Sequence, residues 1–232
     1  MKKFLASIIA VVLAVSGLSV ISITANAATI FISGNYEYTV NSDDTVNIAG
    51  YKGIATDITI PSQILNKNVV KISANSFYNN STLTSVKMPN TIKVVGSMAF
   101  HNCTKLSKVT LPSNLKEIGY NAFDGTTALT TITIPKTVTK AGIDVFNGSA
   151  LKTATIENGA TAVADNLFSN AKNLTKVTIP NTVKKVGSMS FYHCEKLSSV
   201  ALPNTLTEIG YSAFNGTTAL TTITIPKTVT KA

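Results

Sequence analysis

The chain is built on a repeat of about 23 residues, and this period constrains its fold more than any other feature. Phenylalanines follow one another at intervals of 23 residues, with a single interval of 22, and a proline recurs in step with most of them. Self-similarity at such a period predicts a solenoid, in which each unit packs only against its neighbours. Seven units are marked by Phe77, Phe100, Phe123, Phe146, Phe168, Phe191 and Phe214.

Each unit contains one short strand and one return segment. Within residues 106–123, Val109 and Leu111 alternate with polar residues as in a half-buried strand, and Pro112 ends the strand because it has no amide to donate. The apolar residues that follow are spaced by three, four and one positions, which predicts a short helical or 3₁₀ segment on the opposite side. A recurring glycine predicts a turn or close backbone approach, and Ala164 replaces it in one unit.

A single unit cannot bury its own apolar face, so the copies are expected to stack side by side. Stacking gives each strand two neighbours and forms a continuous core of leucine, valine or isoleucine, and phenylalanine ladders. The interval of 22 arises because residues 146–151 are one residue shorter than the equivalent residues 123–129. The sequence therefore predicts a regular solenoid with one local irregularity.

The repeat resembles the BspA-type leucine-rich repeats of bacterial and some protozoan surface proteins. The shared pattern is I-P-x-x-V-x-x-I-G-x-x-A-F, which residues 111–123 and 134–138 match closely. The resemblance covers residues 57–232. It implies a leucine-rich-repeat solenoid of the α/β type, with a parallel β-sheet on one face and short helical or 3₁₀ segments on the other. It also implies an exported protein of the adhesin or protein-binding kind, since some members of the family resemble binders of the extracellular matrix.

Residues 1–27 have the pattern of a secretory signal peptide. Lys2 and Lys3 precede an apolar run, and Ala25 and Ala27 supply the small residues of a cleavage site, which leaves Ala28 as the mature N-terminus. The alternative is an uncleaved membrane anchor, because about 18 apolar residues can just span a bilayer. The composition of the run favours cleavage, so the protein is expected to be secreted or at the cell surface, with no further membrane contact.

The two ends of the repeat array differ from its middle. Residues 28–56 predict an N-terminal β-hairpin cap, because apolar residues alternate on both sides of a turn-forming segment at 41–44, and the repeats then occupy residues 57–232. A longer segment at 65–68 predicts a hairpin or loop insertion. The last repeat, which ends at Ala232, has its strand but not its return segment. This predicts either a longer protein or an end covered by a partner, with self-association as one outcome.

The chain is basic, with 20 lysines and 11 acidic residues and a net charge of +9, and it contains no arginine. Arginine is the usual residue for bidentate recognition of phosphates and base edges, so specific nucleic-acid binding is not expected. The lysines are interpreted either as a solvated surface or as a source of attraction to acidic polymers.

Cys103 and Cys194 are predicted to be free, buried thiols without a disulfide. They occupy the same position in units four coils apart, which corresponds to about 19 Å, whereas a disulfide requires Cα atoms within about 7 Å. The nearby His101 and His193 are as far apart, so no metal site is expected. No cofactor or enzymatic activity is expected either, because the sequence lacks paired carboxylates, a catalytic triad and a phosphate loop.

The outward positions of the strands form the candidate binding face. This surface is rich in hydroxyl groups and lysines and contains almost no acidic or aromatic residues. The simplest interpretation is that threonine suits solvent-facing strands. The functional interpretation is a surface for an extracellular protein or glycan, with low affinity per site. Its candidate residues are Lys87, Lys108, Thr110, Thr131, Thr133, Thr153, Thr155, Lys176, Thr178, Thr222 and Thr224.

Three functions are compatible with this face. The leading hypothesis is a secreted or cell-surface adhesion module that recognises proteins or glycans. The alternative is a set of structural spacer repeats in a larger cell-envelope protein whose functional modules lie beyond Ala232. Ice binding is the weakest hypothesis, because lysines interrupt the threonine array.

Overall fold

The structure is a computed structural model that describes residues 20–21 and 29–232. The predicted signal peptide therefore lies outside the described residues, except for Val20 and Ile21. Among the described residues, no helix has the length and apolar character needed to cross a membrane.

The described chain begins with antiparallel strands that cover the first coil of the solenoid. These strands are β1 (Val20–Ile21), β2 (Ile30–Ser33), β3 (Tyr36–Val40) and β4 (Val46–Tyr51), and each pairs antiparallel with the next. The hairpin of β3 and β4 agrees with the sequence interpretation. The predicted insertion at residues 65–68 forms a second hairpin. Leu65 and Asn66 lie at its turn and adopt positive φ angles.

Two parallel ladders run along the solenoid. A coil is defined here as one turn of the chain, from one strand of the face to the next. The face ladder is formed in two parts, the first by β5 (Asp57–Thr59), β8 (Ser85–Lys87) and β10 (Lys108–Thr110), and the second by β12 (Thr131–Ile134), β14 (Thr153–Ile156) and β16 (Lys176–Thr178).

The second ladder, called the rear ladder, follows the proline of each coil, or Glu157 in the one coil that lacks the proline. It starts where β4 pairs in parallel with β7 (Lys67–Ile72), the second strand of the hairpin begun by β6 (Gln63–Ile64). The ladder continues through β9 (Val94–Val95), β11 (Glu117–Ile118) and β13 (Lys140–Ala141). After an interruption it resumes with β15 (Ala162–Val163), β17 (Lys185–Val186) and β18 (Glu208–Ile209). A leucine-rich-repeat solenoid with parallel sheets is thereby confirmed.

The predicted helical or 3₁₀ segments are not found in the described part of the chain, where each return segment is a series of turns. The reason is visible at Met98 and Asn102, which both have a φ of 54°. The amides of Met98, Phe100 and Asn102 donate to carbonyls of the next coil, whereas the intervening amides donate within their own turn. A helix keeps its amides within one segment, so this alternation between coils replaces helical hydrogen bonding.

The phenylalanines form a continuous stack through the core. Neighbouring rings have centroid separations of 4.8 to 5.8 Å, and all but Phe214 are buried. Tyr51 continues the stack at its N-terminal end, 5.5 Å from Phe77, and Tyr36 lies 5.2 Å from Tyr51. The N-terminal strands therefore supply the aromatic rings that cover the first coil.

The recurring glycine is required for close packing between coils. A Cβ atom at any of these glycines would lie within 3.0 Å of a backbone atom of the preceding coil. A real side chain does not tolerate such a contact, so the predicted close backbone approach is confirmed. The glycines in this column are Gly96, Gly119, Gly142, Gly187 and Gly210.

The coils separate on the rear side at Ala164, the residue that replaces the glycine. In the described chain, β13 and β15 do not pair, although the face strands β12 and β14 of the same two coils pair over four residues. Phe146 and Phe168 have the largest ring separation of the stack, 5.8 Å. Side chains bridge this interface instead, including a 2.6 Å hydrogen bond from Asn170 Nδ2 to Asp144 Oδ1. The methyl group of Ala164 cannot occupy the space left by a glycine, which accounts for the separation.

Replacing Ala164 with glycine is expected to restore backbone pairing at this interface. Amide exchange in residues 142–148 should slow by about fivefold, the factor for one hydrogen bond of about 1 kcal/mol. Hydrogen–deuterium exchange with mass spectrometry measures this effect. Ala154→Gly is the matched control, because Ala154 lies on a strand that is already paired. If amide exchange in residues 142–148 is unchanged in Ala164→Gly, the alanine is not the cause of the separation of the coils. The cause would then be the segment 146–151, which is one residue shorter than its equivalent in the preceding coil.

Candidate binding face

Strand register aligns the outward side chains of the face in two rows. In the N-terminal half, Ser85 pairs with Asp57 and Lys108, so these residues form one row, and Lys87 lies between Thr59 and Thr110 in the other. In the C-terminal half, the corresponding rows are Thr131, Thr153 and Lys176, and Thr133, Thr155 and Thr178. The alternate residues point inward to the core, as expected for strands with one buried face.

Nine of the candidate residues occupy exposed positions in these rows. Thr222 and Thr224 are also exposed but belong to no strand, because the last coil does not pair with its neighbour on this side. The sequence prediction missed Asp57 and Thr59 of β5. Residues 57–61 share their alternation and final proline with residues 131–135, which is the signal that identifies them as the first strand of the face.

The hydroxyl groups near the face fall into two sets. Threonines and serines just before the strands are used within the fold; Thr175 Oγ1, for example, donates to Lys152 O at 3.0 Å. The row threonines make no side-chain hydrogen bond in the described part of the structure, so their hydroxyls remain open to a ligand. These residues are Thr59, Thr110, Thr131, Thr133, Thr153, Thr155 and Thr178.

The lysines of the rows give the face a positive character. Lys87, Lys108 and Lys176 are exposed, and none of them forms an ion pair within residues 29–232. Asp57 lies at one end of the face and shares a row with Lys108. An acidic partner would therefore meet unneutralised lysines on β8, β10 and β16.

A cleft of about 580 Å³ interrupts the face between β10 and β12. In the described chain these two strands do not form a backbone ladder, whereas β8 pairs with β10 and β12 with β14. Val109 and Leu111 are half-buried at the cleft, whereas the equivalent inward residues of the neighbouring face strands are buried. The interruption therefore brings core side chains to the surface of the face.

The two cysteines are buried in the core. Cys103 Sγ donates a hydrogen bond to Phe77 O and Cys194 Sγ to Phe168 O, both at 3.1 Å, and both thiols are free. Burial raises the pKa of each thiol to about 12. A group with this pKa is a protonated thiol at neutral pH and is a poor nucleophile.

The histidine beside Cys103 belongs to a different cluster. His101 stacks on Tyr78 at a centroid separation of 5.0 Å, and its Nδ1 lies 3.2 Å from Asp124 Oδ2. Burial raises the pKa of Asp124, and His101 partly offsets this effect. Within the described residues, no group of three or more histidine, cysteine, aspartate or glutamate side chains is arranged to hold a metal ion.

Both thiols are expected to resist alkylation in the folded protein. At about pH 8, reaction with iodoacetamide should be at least a hundredfold slower than in concentrated guanidinium, because burial suppresses the thiolate. Since the folded-state pKa is raised, the thiols favour folding below about pH 9 and this contribution is lost as the pH rises towards 12. Timed alkylation and mass spectrometry test the first expectation, and equal rates in both states would contradict the burial.

Fold and surface together define a leucine-rich-repeat protein, and the repeats identify its family. Residues 54–175 and 161–232 match the BspA type leucine rich repeat region, in six copies. The chain belongs to this family, which confirms the resemblance seen in its sequence. A search of curated proteins found no match.

Solved structures of bacterial leucine-rich-repeat proteins are similar to the chain. A leucine rich cell surface protein from Faecalibacterium prausnitzii is 36% identical, with 85% of this chain and 55% of that chain covered and a TM-score of 0.69. A leucine-rich repeat protein from Eubacterium ventriosum is 30% identical, with coverage of 87% and 50% and a TM-score of 0.56. One from Bacteroides capillosus is 30% identical, with coverage of 56% and 99% and a TM-score of 0.52. The chain thus spans about half the length of the first two proteins.

Proposed function

We propose that this protein is a secreted or cell-surface binding module that engages an extracellular protein or glycan through its face strands. The observation that carries the proposal is the pair of aligned rows, which present open threonine hydroxyls together with three lysines that have no ion-pair partner in the described chain. Such a surface offers hydrogen-bond donors and acceptors at a regular spacing. It also offers a positive charge to an acidic partner.

The location is proposed by analogy with the family. The neighbour from Faecalibacterium prausnitzii is named a cell surface protein, and the sequence of residues 1–27 has the pattern of an export signal. Export would place the lysine-bearing face in contact with macromolecules of the host or of neighbouring cells.

The chemistry of the face predicts modest affinity for each site of contact. Its rows contain no tyrosine or tryptophan, the residues that most often dominate binding energy at interfaces. Affinity would therefore depend on the area covered and on several contacts acting together. Because the lysines are exposed, salt is expected to weaken the association.

The proposal is tested with an array of purified extracellular-matrix proteins and glycans, probed at physiological ionic strength. A double variant, Lys108→Glu with Lys176→Glu, should weaken binding to an array component by at least about tenfold, which is about 1.4 kcal/mol. The matched control is Lys116→Glu with Lys184→Glu, which changes the net charge equally at exposed lysines outside the face. Unchanged binding of the face variant to every component would remove the face as the binding site.

The alternative is that these repeats are a spacer within a larger cell-envelope protein. The chain matches only about half the length of two similar proteins, which supports this proposal. If the repeats are a spacer, substitution of the face lysines should not change binding to any component of the array. Self-association through the last coil stays a prediction from the sequence, and sedimentation velocity over a range of concentrations would test it.

A further inference from the structure

The cleft between β10 and β12 exposes backbone amides and carbonyls. Where neighbouring face strands pair, the equivalent groups form hydrogen bonds between the strands. Lys108 N donates to Thr84 O, and Thr110 O accepts from Met88 N, so these groups point towards β8. Alternation along the strand directs the amides and carbonyls of Val109 and Leu111 the other way, towards β12. No ladder forms there within the described chain, and these donors and acceptors are left at the floor of the cleft.

The cleft also has an apolar floor. Val109 and Leu111 are half-buried, and the buried Ile132 and Pro135 line the opposite side. The volume of about 580 Å³ falls within the range of small-molecule sites. None of the lining residues is aromatic, so the cleft offers no ring on which a sugar could stack.

The width of the cleft decides what can enter it. Cα atoms of β10 and β12 come within 8 Å of each other. A further strand between them would require about 9.6 Å, which is two strand spacings. The cleft therefore admits side chains of a partner, while the partner backbone lies over the face.

The charged residues at the two ends of the cleft indicate which charge the bound segment of a partner carries. Lys108 lines the cleft at one end and has no ion-pair partner within the described residues, and Lys87 lies in the adjacent strand. At the other end, the carboxylate of Glu157 is held by the backbone amide of Lys136 at 2.9 Å. A carboxylate of the partner is complementary to the Lys108 end.

We infer that this cleft binds an extended peptide segment of a partner protein, with an apolar side chain on Val109 and Leu111 and a carboxylate at Lys108. The inference rests on the proposed function, because it identifies the part of the face that selects the partner. A peptide fits the cleft better than a glycan does, since it can place an apolar side chain on the floor and a carboxylate side chain at Lys108. The partner is thus a protein that presents an acidic and apolar segment in an extended conformation.

The chain contains its own control for this site. Lys108-Val109-Thr110 at the cleft and Lys176-Val177-Thr178 in the paired part of the face are the same tripeptide. Val177 is buried, β16 pairs with β14, and Lys176 forms a parallel β-bridge to Ser199 of the next coil. Equivalent substitutions in the two tripeptides therefore make the same chemical change with and without an open cleft.

The experiment uses a phage-displayed library of random twelve-residue peptides, selected on the intact chain. Enriched peptides are expected to combine an apolar residue with a nearby aspartate or glutamate. Val109→Thr and Lys108→Glu should each weaken the enriched peptides by about tenfold, whereas Val177→Thr and Lys176→Glu should leave them within about twofold. Circular dichroism confirms that each variant is folded before binding is measured.

The outcomes separate the cleft from the face as a whole. If no peptide is enriched, or if the enriched peptides bind both sets of variants equally, the cleft is not a peptide site. If glycans of the array, and not peptides, depend on Val109, the occupant is a glycan and the inference is overturned. In each of these cases the proposed function is retained if the double variant Lys108→Glu with Lys176→Glu weakens binding to a component of the array. It fails only when that double variant has no effect.

Discussion

Replacing Phe123 with alanine is expected to lower the free energy of unfolding by about 3 to 5 kcal/mol, the usual cost of removing a buried phenylalanine. Phe123 is fully buried, and its ring stacks between Phe100 at 5.3 Å and Phe146 at 5.6 Å. In a solenoid each coil contacts only its neighbours, so a cavity here weakens two interfaces at once. Chemical denaturation followed by circular dichroism measures the loss.

Phe214→Ala is the matched control for this substitution. Phe214 is half-buried, and Phe191, at 5.3 Å, is its one ring neighbour within residues 29–232. Less apolar area is removed from water at this position, so the loss should be no more than about half as large. Equal losses at the two positions would show that the stack does not carry the stability of the central coils.

The register of the solenoid could be predicted from the sequence because it depends on local periodicity. Each strand needs alternation, most strands end at a proline, and each coil needs one large ring, so Phe77 to Phe214 mark the coils without knowledge of their contacts. The return segments could not be predicted as turns. Apolar spacing there resembles that of a helix, whereas the positive φ of Met98 and Asn102 and the hydrogen bonds to the next coil appear only once the coils are stacked.

The candidate site was only partly predictable for a related reason. Alternation identifies Lys108 and Lys176 as outward residues, because it is a property of a single strand. It cannot distinguish Val109 from Val177, since both belong to the tripeptide Lys-Val-Thr and their coils have equal lengths. The cleft depends on whether the next coil pairs, which is a property of two coils. Ala164 is an intermediate case, because the sequence reveals the substitution but not the direction in which its Cβ points.

Gly119→Ala is expected to lower the free energy of unfolding by about 3 kcal/mol, the upper part of the range for overpacked positions. Its Cβ would lie within 3.0 Å of the backbone of Gly96 and Ser97, which cannot move independently of their own coil. The hydrogen bond from Gly119 N to Val95 O, at 2.7 Å, would be lost with the close approach. Thermal or chemical unfolding measures the change, and faster amide exchange in residues 117–119 would localise it.

A comparison with Gly50 separates this steric effect from the general cost of replacing glycine. Neither glycine has a left-handed backbone conformation, so alanine introduces no torsional strain at either position. At Gly50 the added Cβ meets the carboxylate end of Glu37, which is flexible and partly exposed and can move aside. Gly50→Ala should therefore cost less than about 1 kcal/mol. A cost at Gly119 as small as that at Gly50 would mean that neighbouring coils can separate freely, and Ala164 would then no longer explain the unpaired rear strands.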